Sequence, residues 1–185
     1  MGNNLKIIFN ILILTLIGIL TRTIFHIAPN VEFITAIGLF AGYSLKSKSK
    51  IIPTLLVLII TDFFIKNSII FVFTWSAFLM TPFLSKYLNL DKSHLTIKFL
   101  KLESMAIFST MVFFLWTNFG VVVTTNMYEK NIYGLIESYV NALPFLQNQI
   151  VGNLIITPLL FIAMFLVNLQ LDKVTKKSYH LFNFI

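Results

Sequence analysis

The sequence predicts an all-α polytopic membrane protein with six transmembrane helices. Of its 185 residues, 57% are apolar and only 11% are charged, whereas a soluble domain carries about 25% charged residues. The mean hydropathy is +0.87, and several apolar runs approach the roughly 20 residues that a helix needs to cross a bilayer. Since no linker rich in Gly, Pro or Ser divides the chain, we expect one membrane domain over residues 1–185.

The first three predicted spans are residues 5–25, 32–45 and 51–65. No small-residue cleavage site follows the first run, so we interpret it as a membrane helix rather than a signal peptide. The second run would cover only ~21 Å as a helix, and we expect a tilted or non-helical segment before it. Pro53 suits the first turn of the third helix.

The last three predicted spans are residues 69–88, 102–119 and 149–171. Pro82 is expected to kink the fourth helix. The fifth and sixth spans are joined by 28 residues, Gly120 to Gln147, and this length exceeds that of a bare connector.

Within that connection, apolar residues at helical spacing predict an amphipathic helix over residues 131–142. We expect the following Leu143-Pro144-Phe145 to end this helix. A segment of this kind either caps a cavity or rests in the membrane interface.

The distribution of basic residues predicts the orientation of the chain. Six spans place three basic residues, Arg22, Lys66 and Lys130, on one side. The other eleven fall on the side of the termini: Lys6, Lys46, Lys48, Lys50, Lys86, Lys92, Lys98, Lys101, Lys173, Lys176 and Lys177. Because cytoplasmic loops carry the excess of Lys and Arg, we expect an inner-membrane protein with both termini in the cytoplasm.

Several function classes are excluded or disfavoured by what the sequence lacks. The absence of cysteine excludes disulfides, iron–sulfur clusters and thiolate zinc sites. No HExxH, GxSxG, P-loop or GxGxxG motif is present, and His26, His94 and His180 fall on different loops. The basic residues form no face apart from the loops. We therefore expect no enzymatic activity, no metal, no cofactor and no nucleic-acid partner.

The polar residues at the outer ends of the predicted helices form the candidate binding site. A charge at membrane depth costs roughly 2.5–3.5 kcal/mol, so Arg22, Glu32 and Asp62 must either pair with one another or face a wet cavity. An amide left unpaired beside an apolar core costs ~1–3 kcal/mol, which singles out Asn118 and Asn148. Aromatic residues at this level, such as Trp116, are alternatively an interfacial belt. The predicted substrate-binding residues are Arg22, Asn30, Asp62, Trp116, Asn118, Tyr128, Tyr139 and Asn148.

The second span contains a GxxxG spacing, Gly38 and Gly42. Small residues four apart allow two helix backbones to approach closely in lipid. The spacing serves either helix packing within the chain or docking of a partner membrane subunit, and both alternatives stay open.

Many fixed spacings together carry a family resemblance, most specifically between Trp116 and Asn153. The matching residues are Pro29-Asn30, Thr35-Ala36, Leu39-Phe40-Ala41-Gly42, Pro53, Thr61-Asp62, Trp116-Thr117-Asn118-Phe119-Gly120, Tyr128, Gly134-Leu135, Tyr139, Ala142-Leu143-Pro144-Phe145, Asn148 and Gly152-Asn153. With these residues, nearly the whole chain resembles an uncharacterised bacterial membrane family. That family is grouped with the S-component-like proteins of energy-coupling factor transporters.

The resemblance implies a six-helix S-component fold with a substrate pocket near the outer face, covered by loops. Such proteins bind vitamins or other micronutrients and pair with a membrane-embedded coupling subunit and two cytoplasmic ATPases. The chain departs from the group at two places. Its first helix has Thr15, Gly18 and Thr21 where alanines four apart are typical, and Phe63 and Phe64 follow Thr61-Asp62, which predicts a bulkier pocket floor.

The leading hypothesis is therefore a substrate-binding membrane subunit for micronutrient uptake. In such a site the aromatic residues would stack on a flat ring, and Arg22 and the amides would fix its polar edge. Two alternatives are a non-transporting assembly partner that docks through Gly38 and Gly42, and a small proton-coupled carrier that uses Glu32 and Asp62.

Overall fold

The computed structural model describes residues 2–25, 28–45, 48–65, 69–88, 90 and 94–182. They form six α-helices, which confirms the predicted all-α class: α1 (Gly2–Thr23), α2 (Ile34–Ser44), α3 (Ile52–Ile65), α4 (Phe71–Leu84), α5 (Leu95–Thr124) and α6 (Ile132–Phe182). One turn of 3₁₀-helix, Ser49–Ile51, leads into α3, and another, Ser85–Tyr87, follows α4.

Within the described residues, three helices are long and apolar enough to cross a membrane, namely Asn4–Thr23, Leu95–Thr124 and the part of α6 from Ile132 to Lys173. These lengths and compositions indicate a membrane protein. The other three helices are shorter. α2 has 11 residues, while α3 and α4 have 14 residues each, to which the adjoining 3₁₀ turns add three.

The connection between α5 and α6 differs from the prediction. α5 continues to Thr124, and α6 runs unbroken from Ile132 to Phe182 with Pro144 and Pro158 inside it. The prediction that Leu143-Pro144-Phe145 ends a separate capping helix is therefore wrong. A proline inside a helix removes one hydrogen bond at a cost of ~3 kcal/mol. We attribute the continuity to packing, because Ser138 and Gln149 are buried on either side of Pro144.

Successive helices run in alternating directions through the bundle. α1 is parallel to α3, because Gly18 lies on Val57 while Arg22, one turn later, contacts Thr61. α2 is parallel to α4, since Gly38 lies on Thr81 and Gly42 on Ser85. α5 is antiparallel to α6: Asn118 meets Ser138 at one end, and Thr110 meets Asn153 farther along.

Helix α2 is the centre of the molecule. Its residues Ala36, Ile37, Leu39 and Ala41 are completely buried, and α2 packs against every other helix. Eight consecutive residues, from Ile34 to Ala41, are buried, which is the burial expected of a helix surrounded on all sides rather than of an amphipathic one.

The two ends of the bundle carry different contacts. At one end, here called the Lys6 end, Lys6 forms an ion pair with Asp172 at 2.8 Å, and Asn10 donates a hydrogen bond to Asn168 at 3.1 Å. These contacts bring the first turns of α1 beside the last third of α6. The opposite end, here called the Arg22 end, contains the α1–α2 loop and the α5–α6 connection.

Candidate functional site

A buried cation organises the Arg22 end. Arg22 lies in the last turn of α1 and is only 7% exposed. Its Nη1 donates to Oγ1 of Thr61 at 2.7 Å and to Oδ1 of Asp62 at 2.8 Å, both on α3. Its Nε lies 3.5 Å from Oε2 of Glu32. Arg22 thus joins α1, α3 and the segment that leads into α2.

Asp62 is held from a second side by Trp75 of α4, whose indole Nε1–H donates to its other carboxylate oxygen. Thr61 is fixed in turn, because its hydroxyl donates to the carbonyl of Val57 at 2.7 Å. Both predicted pairings of Arg22, with Asp62 and with Glu32, are therefore present. A buried charge becomes tolerable when it is paired and hydrogen-bonded in this way.

A cleft of about 400 Å³ opens beside this network and is here called the first cleft. It is lined by Thr21 and Arg22 of α1 and by the loop residues Ala28, Pro29, Asn30, Val31 and Glu32. An arginine, a glutamate and an asparagine are thus among its lining residues. Nε of Arg22 has no hydrogen-bond partner among the described residues.

A second cleft of about 210 Å³ lies between α4, α5 and α6. Its polar lining consists of Asn30, Thr74, Thr117, Asn118 and Gln149, and its apolar lining of Phe113, Phe114, Val121, Ala142, Phe145 and Leu146. Asn30 lines both clefts, so the two clefts adjoin at the α1–α2 loop.

The backbone of Asn30 is in the left-handed region, with φ of 61°. Asparagine is one of the few residues other than glycine that visit this region routinely, because its short amide can bond locally. The loop is also anchored to α6, since Nδ2 of Asn148 lies 3.5 Å from the carbonyl oxygen of Pro29. The side chain of Val31 lies against Gly152, where a Cβ would come within 2.7 Å.

Two predicted residues of α5 and α6, Asn118 and Tyr139, lie at or beside the second cleft. Asn118 lines it, donates to the carbonyl of Phe114 at 2.8 Å and approaches the Ser138 hydroxyl at 3.4 Å. Tyr139 packs its ring 5.6 Å from that of Phe114 and donates to the carbonyl of Leu115 at 3.1 Å. Tyr128 accepts a hydrogen bond from Asn141 at 3.4 Å and lines neither cleft.

Trp116 lies away from both clefts. Its indole donates to the Ser76 hydroxyl at 2.8 Å, and its ring stacks on Phe119 at 5.8 Å and lies 5.2 Å from Phe73. The side chain is 43% exposed on the α4–α5 surface. This position corresponds to the interfacial alternative rather than to a wall of either cleft.

Of the eight predicted binding residues, the structure therefore places six in or beside the two clefts. Arg22, Asn30 and Asn118 line a cleft, Asp62 and Asn148 hold lining residues, and Tyr139 packs on the lining residue Phe114. Phe63 and Phe64 do not form a bulky pocket floor, because their side chains are 81% and 68% exposed.

Sequence reasoning missed two residues that complete the site. Trp75 is the second partner of Asp62, and Gln149 lines the second cleft while only 5% exposed. A signal for Gln149 was present, because Gln149, Asn153 and Thr157 recur every four residues in an apolar helix and so share one face.

The two glycines predicted for partner docking, Gly38 and Gly42, pack against α4 of the same chain. A Cβ on Gly38 would collide with Thr81 of α4, and a Cβ on Gly42 with the backbone carbonyl of Pro82. A Cβ on Gly18 of α1 would likewise collide with the side chain of Val57 of α3. The close approach that small residues permit therefore joins helices of one chain, and neither Gly38 nor Gly42 provides a free docking face.

The clefts offer hydrogen bonds and charges for recognition. In the part of the chain that is described, no group of three or more His, Asp or Glu side chains is placed to hold a metal ion. A small molecule would meet apolar rings on one side of Asn30 and an ion-pair network on the other. That combination of apolar walls with a few convergent polar groups is typical of ligand pockets.

Comparison with known proteins gives one match. The model of a family of unknown function, DUF6580, matches residues 3–176. The search of curated proteins and the search of solved structures returned no match.

Proposed function

The chain belongs to DUF6580, a family of unknown function, and we propose that it is the substrate-binding membrane subunit of an uptake system for a vitamin or similar micronutrient. The observation that carries this proposal is the pair of clefts that share Asn30 at one end of the helix bundle. The volume of the first cleft, about 400 Å³, falls in the range of roughly 300–1,000 Å³ that ligand pockets occupy.

The proposed membrane arrangement has six crossings within a single domain. Alternating helix directions support it, as does the pairing of Lys6 with Asp172, which places the ends of α1 and α6 together. With their 3₁₀ turns, α3 and α4 reach the lower limit of roughly 17 residues for a transmembrane helix. The lysine distribution supports an inner-membrane orientation in which the Lys6 end, with both termini, faces the cytoplasm.

The partners follow from the resemblance to S components of energy-coupling factor transporters. A membrane-embedded coupling subunit with two ATPases would supply the energy, because the chain carries no nucleotide-binding motif. The surface of that contact is not the face of Gly38 and Gly42, which α4 occupies.

The proposed ligand is a small ring compound with a polar edge. The aromatic residues around the second cleft, Phe113, Phe114 and Phe145, provide the stacking surface. Arg22, which lines the first cleft, provides the polar contact on that side. Asn30 lies between the two and would contact both parts of such a ligand.

Ligand binding is tested on the protein purified from its native membrane. We expect native mass spectrometry to find a retained small molecule. When vitamins are added one at a time, we expect one of them to raise the unfolding temperature of the protein. Asn30→Gly keeps the left-handed backbone accessible while deleting the amide, and should abolish the shift.

Tyr133→Ala is the matched control, since Tyr133 lies at the Arg22 end, is 77% exposed and lines neither cleft. The variant should bind as the wild type does. If no compound is retained and no vitamin shifts the wild-type unfolding temperature, the proposed function is wrong.

A further inference from the structure

A buried acid lies far from both clefts, in the half of α5 near the Lys6 end. Glu103 is 8% exposed. Both of its carboxylate oxygens are buried and have no hydrogen-bond partner in the part of the chain that the structure describes. A carboxylate in this situation is costly, because burial removes its water without a compensating bond.

Helix geometry places Glu103 on the face of α5 that meets α6. Residues 103, 106, 110 and 117 recur at helical spacing and so share one face. On that face Thr110 accepts a hydrogen bond from Asn153 of α6 at 2.8 Å, and Thr117 lines the second cleft. Glu103 lies seven residues before Thr110, which places it ~10.5 Å along the helix toward the Lys6 end.

The facing side of α6 changes from polar to apolar at the same level. Gln149, Asn153 and Thr157 are at most 5% exposed, and they are followed on the same face by the buried Leu160 and Met164. Because α5 and α6 are antiparallel, a point seven residues before Thr110 lies opposite a point seven residues after Asn153, which is Leu160. Glu103 therefore faces an apolar section of α6.

The polar section of this interface contains further oxygens without partners. Oδ1 of Asn153 and Oγ1 of Thr157 are buried and accept no hydrogen bond from the described residues. The polar section begins at the second cleft, where Gln149 lies, and ends with Thr157, three residues or ~4.5 Å along the helix from Leu160.

The elements packed against α5 supply few charges that could neutralise Glu103. α4 has no titratable side chain between Phe71 and Leu84, α2 has only Tyr43, and α6 has none between Tyr139 and Asp172. Asp172 is itself paired with Lys6. Lys101, on α5, has its own interaction partner.

From this geometry we propose that Glu103 is a proton-binding site, whose carboxyl group holds its proton between α5 and α6. A bound proton removes the cost of a buried carboxylate, because the neutral acid carries no charge. The site concerns residues outside both clefts, so the proposal does not rest on substrate binding and goes beyond the proposed function.

The test is infrared spectroscopy of the full chain in lipid vesicles. The glutamates are labelled with ¹³C, and choline replaces every metal cation in the buffer. At neutral pH we expect an isotope-shifted carbonyl band of a protonated glutamic acid, which disappears as the pH is raised. The chain contains four glutamates, Glu32, Glu103, Glu129 and Glu137. The band should be lost in Glu103→Gln and kept in a variant that combines Glu129→Gln with Glu137→Gln, both exposed positions.

Adding Na⁺ or K⁺ should leave this band unchanged. A fall of the band, with release of one proton per chain, would mean that the carboxylate binds a metal cation instead and would contradict the proposal. The proposal is overturned if wild-type protein in choline shows no protonated glutamate at neutral pH, or if the band survives Glu103→Gln. Should Glu103→Gln fail to fold, a variant in which Glu32, Glu129 and Glu137 are all glutamine assigns the band, because Glu103 is then the sole glutamate.

Discussion

At the scale of single residues, the Arg22 end depends on one guanidinium shared between two acids. Arg22 binds Asp62 on α3 and lies 3.5 Å from Glu32 on the way into α2, while Trp75 of α4 holds Asp62 from the other side. Four segments are thereby joined at one point. The cost of removing a partner depends on burial, because water compensates an exposed charge but not a buried one.

Asp62→Asn should therefore lower the free energy of unfolding by about 3 kcal/mol, since it leaves a buried guanidinium short of a charge partner. The measurement is unfolding in mixed detergent micelles. Asp172→Asn is the matched control: its ion pair with Lys6 has the same 2.8 Å N–O distance, but the Asp172 side chain is 51% exposed. The control should lose less than about 1 kcal/mol. Equal losses for the two variants would contradict the assignment of Arg22–Asp62 as a stabilising buried pair.

At the scale of elements, small residues determine which helices touch. Gly18 allows α1 to lie on α3, and Gly38 and Gly42 allow α2 to lie on α4. On α5, Gly120 accommodates the ring of Phe73 from α4. Each approach depends on a missing Cβ, so these positions define helix spacing rather than a surface.

We expect Gly42→Leu to destabilise the protein by about 1–3 kcal/mol through overpacking. The new side chain meets a backbone carbonyl, that of Pro82, which cannot rotate away as a side chain could. Ala163→Leu is the control. It adds the same side chain at an exposed position of α6, where the larger side chain does not have to fit between helices. An undiminished unfolding temperature for Gly42→Leu would contradict the α2–α4 packing.

At the scale of the whole molecule, the alternating helix directions separate two chemically different ends. The Lys6 end includes Lys50 over the ring of Phe83 and Lys86 over that of Tyr87. The Arg22 end has both clefts and the left-handed Asn30. The proposed orientation, with clefts outside and lysines in the cytoplasm, follows from the excess of basic residues on cytoplasmic loops.

The chain has no cysteine, so a single introduced cysteine is its only thiol and reports its own location. A membrane-impermeant maleimide applied to intact cells should label Lys130→Cys, at the Arg22 end. Lys48→Cys and Lys173→Cys, both exposed positions toward the Lys6 end, should react only after the membrane is permeabilised. Labelling of Lys48→Cys in intact cells would show that the orientation is the reverse of the proposed one. If only one of Lys48→Cys and Lys173→Cys is labelled in intact cells, the six crossings are contradicted.

The sequence by itself determined the all-α class and the approximate position of the first five helices, but it divided α6 into two segments. Apolar runs and scarce charges are read directly from composition, because a helix in lipid must present apolar residues over its full length. Composition also singled out Arg22, Glu32 and Asp62 as charges that either pair with one another or face a wet cavity, since a charge at membrane depth is costly.

Only the tertiary structure decided how those parts meet. Pro144 does not end a helix because packing on both sides outweighs the local cost of a proline, and Gly38 and Gly42 contact α4 because helix rotation brings them there. Trp116 lies on the surface, Trp75 lies on Asp62, and Glu103 faces an apolar section of α6. A side chain's identity fixes the interactions it can form, whereas the face it occupies depends on contacts between residues far apart in the chain.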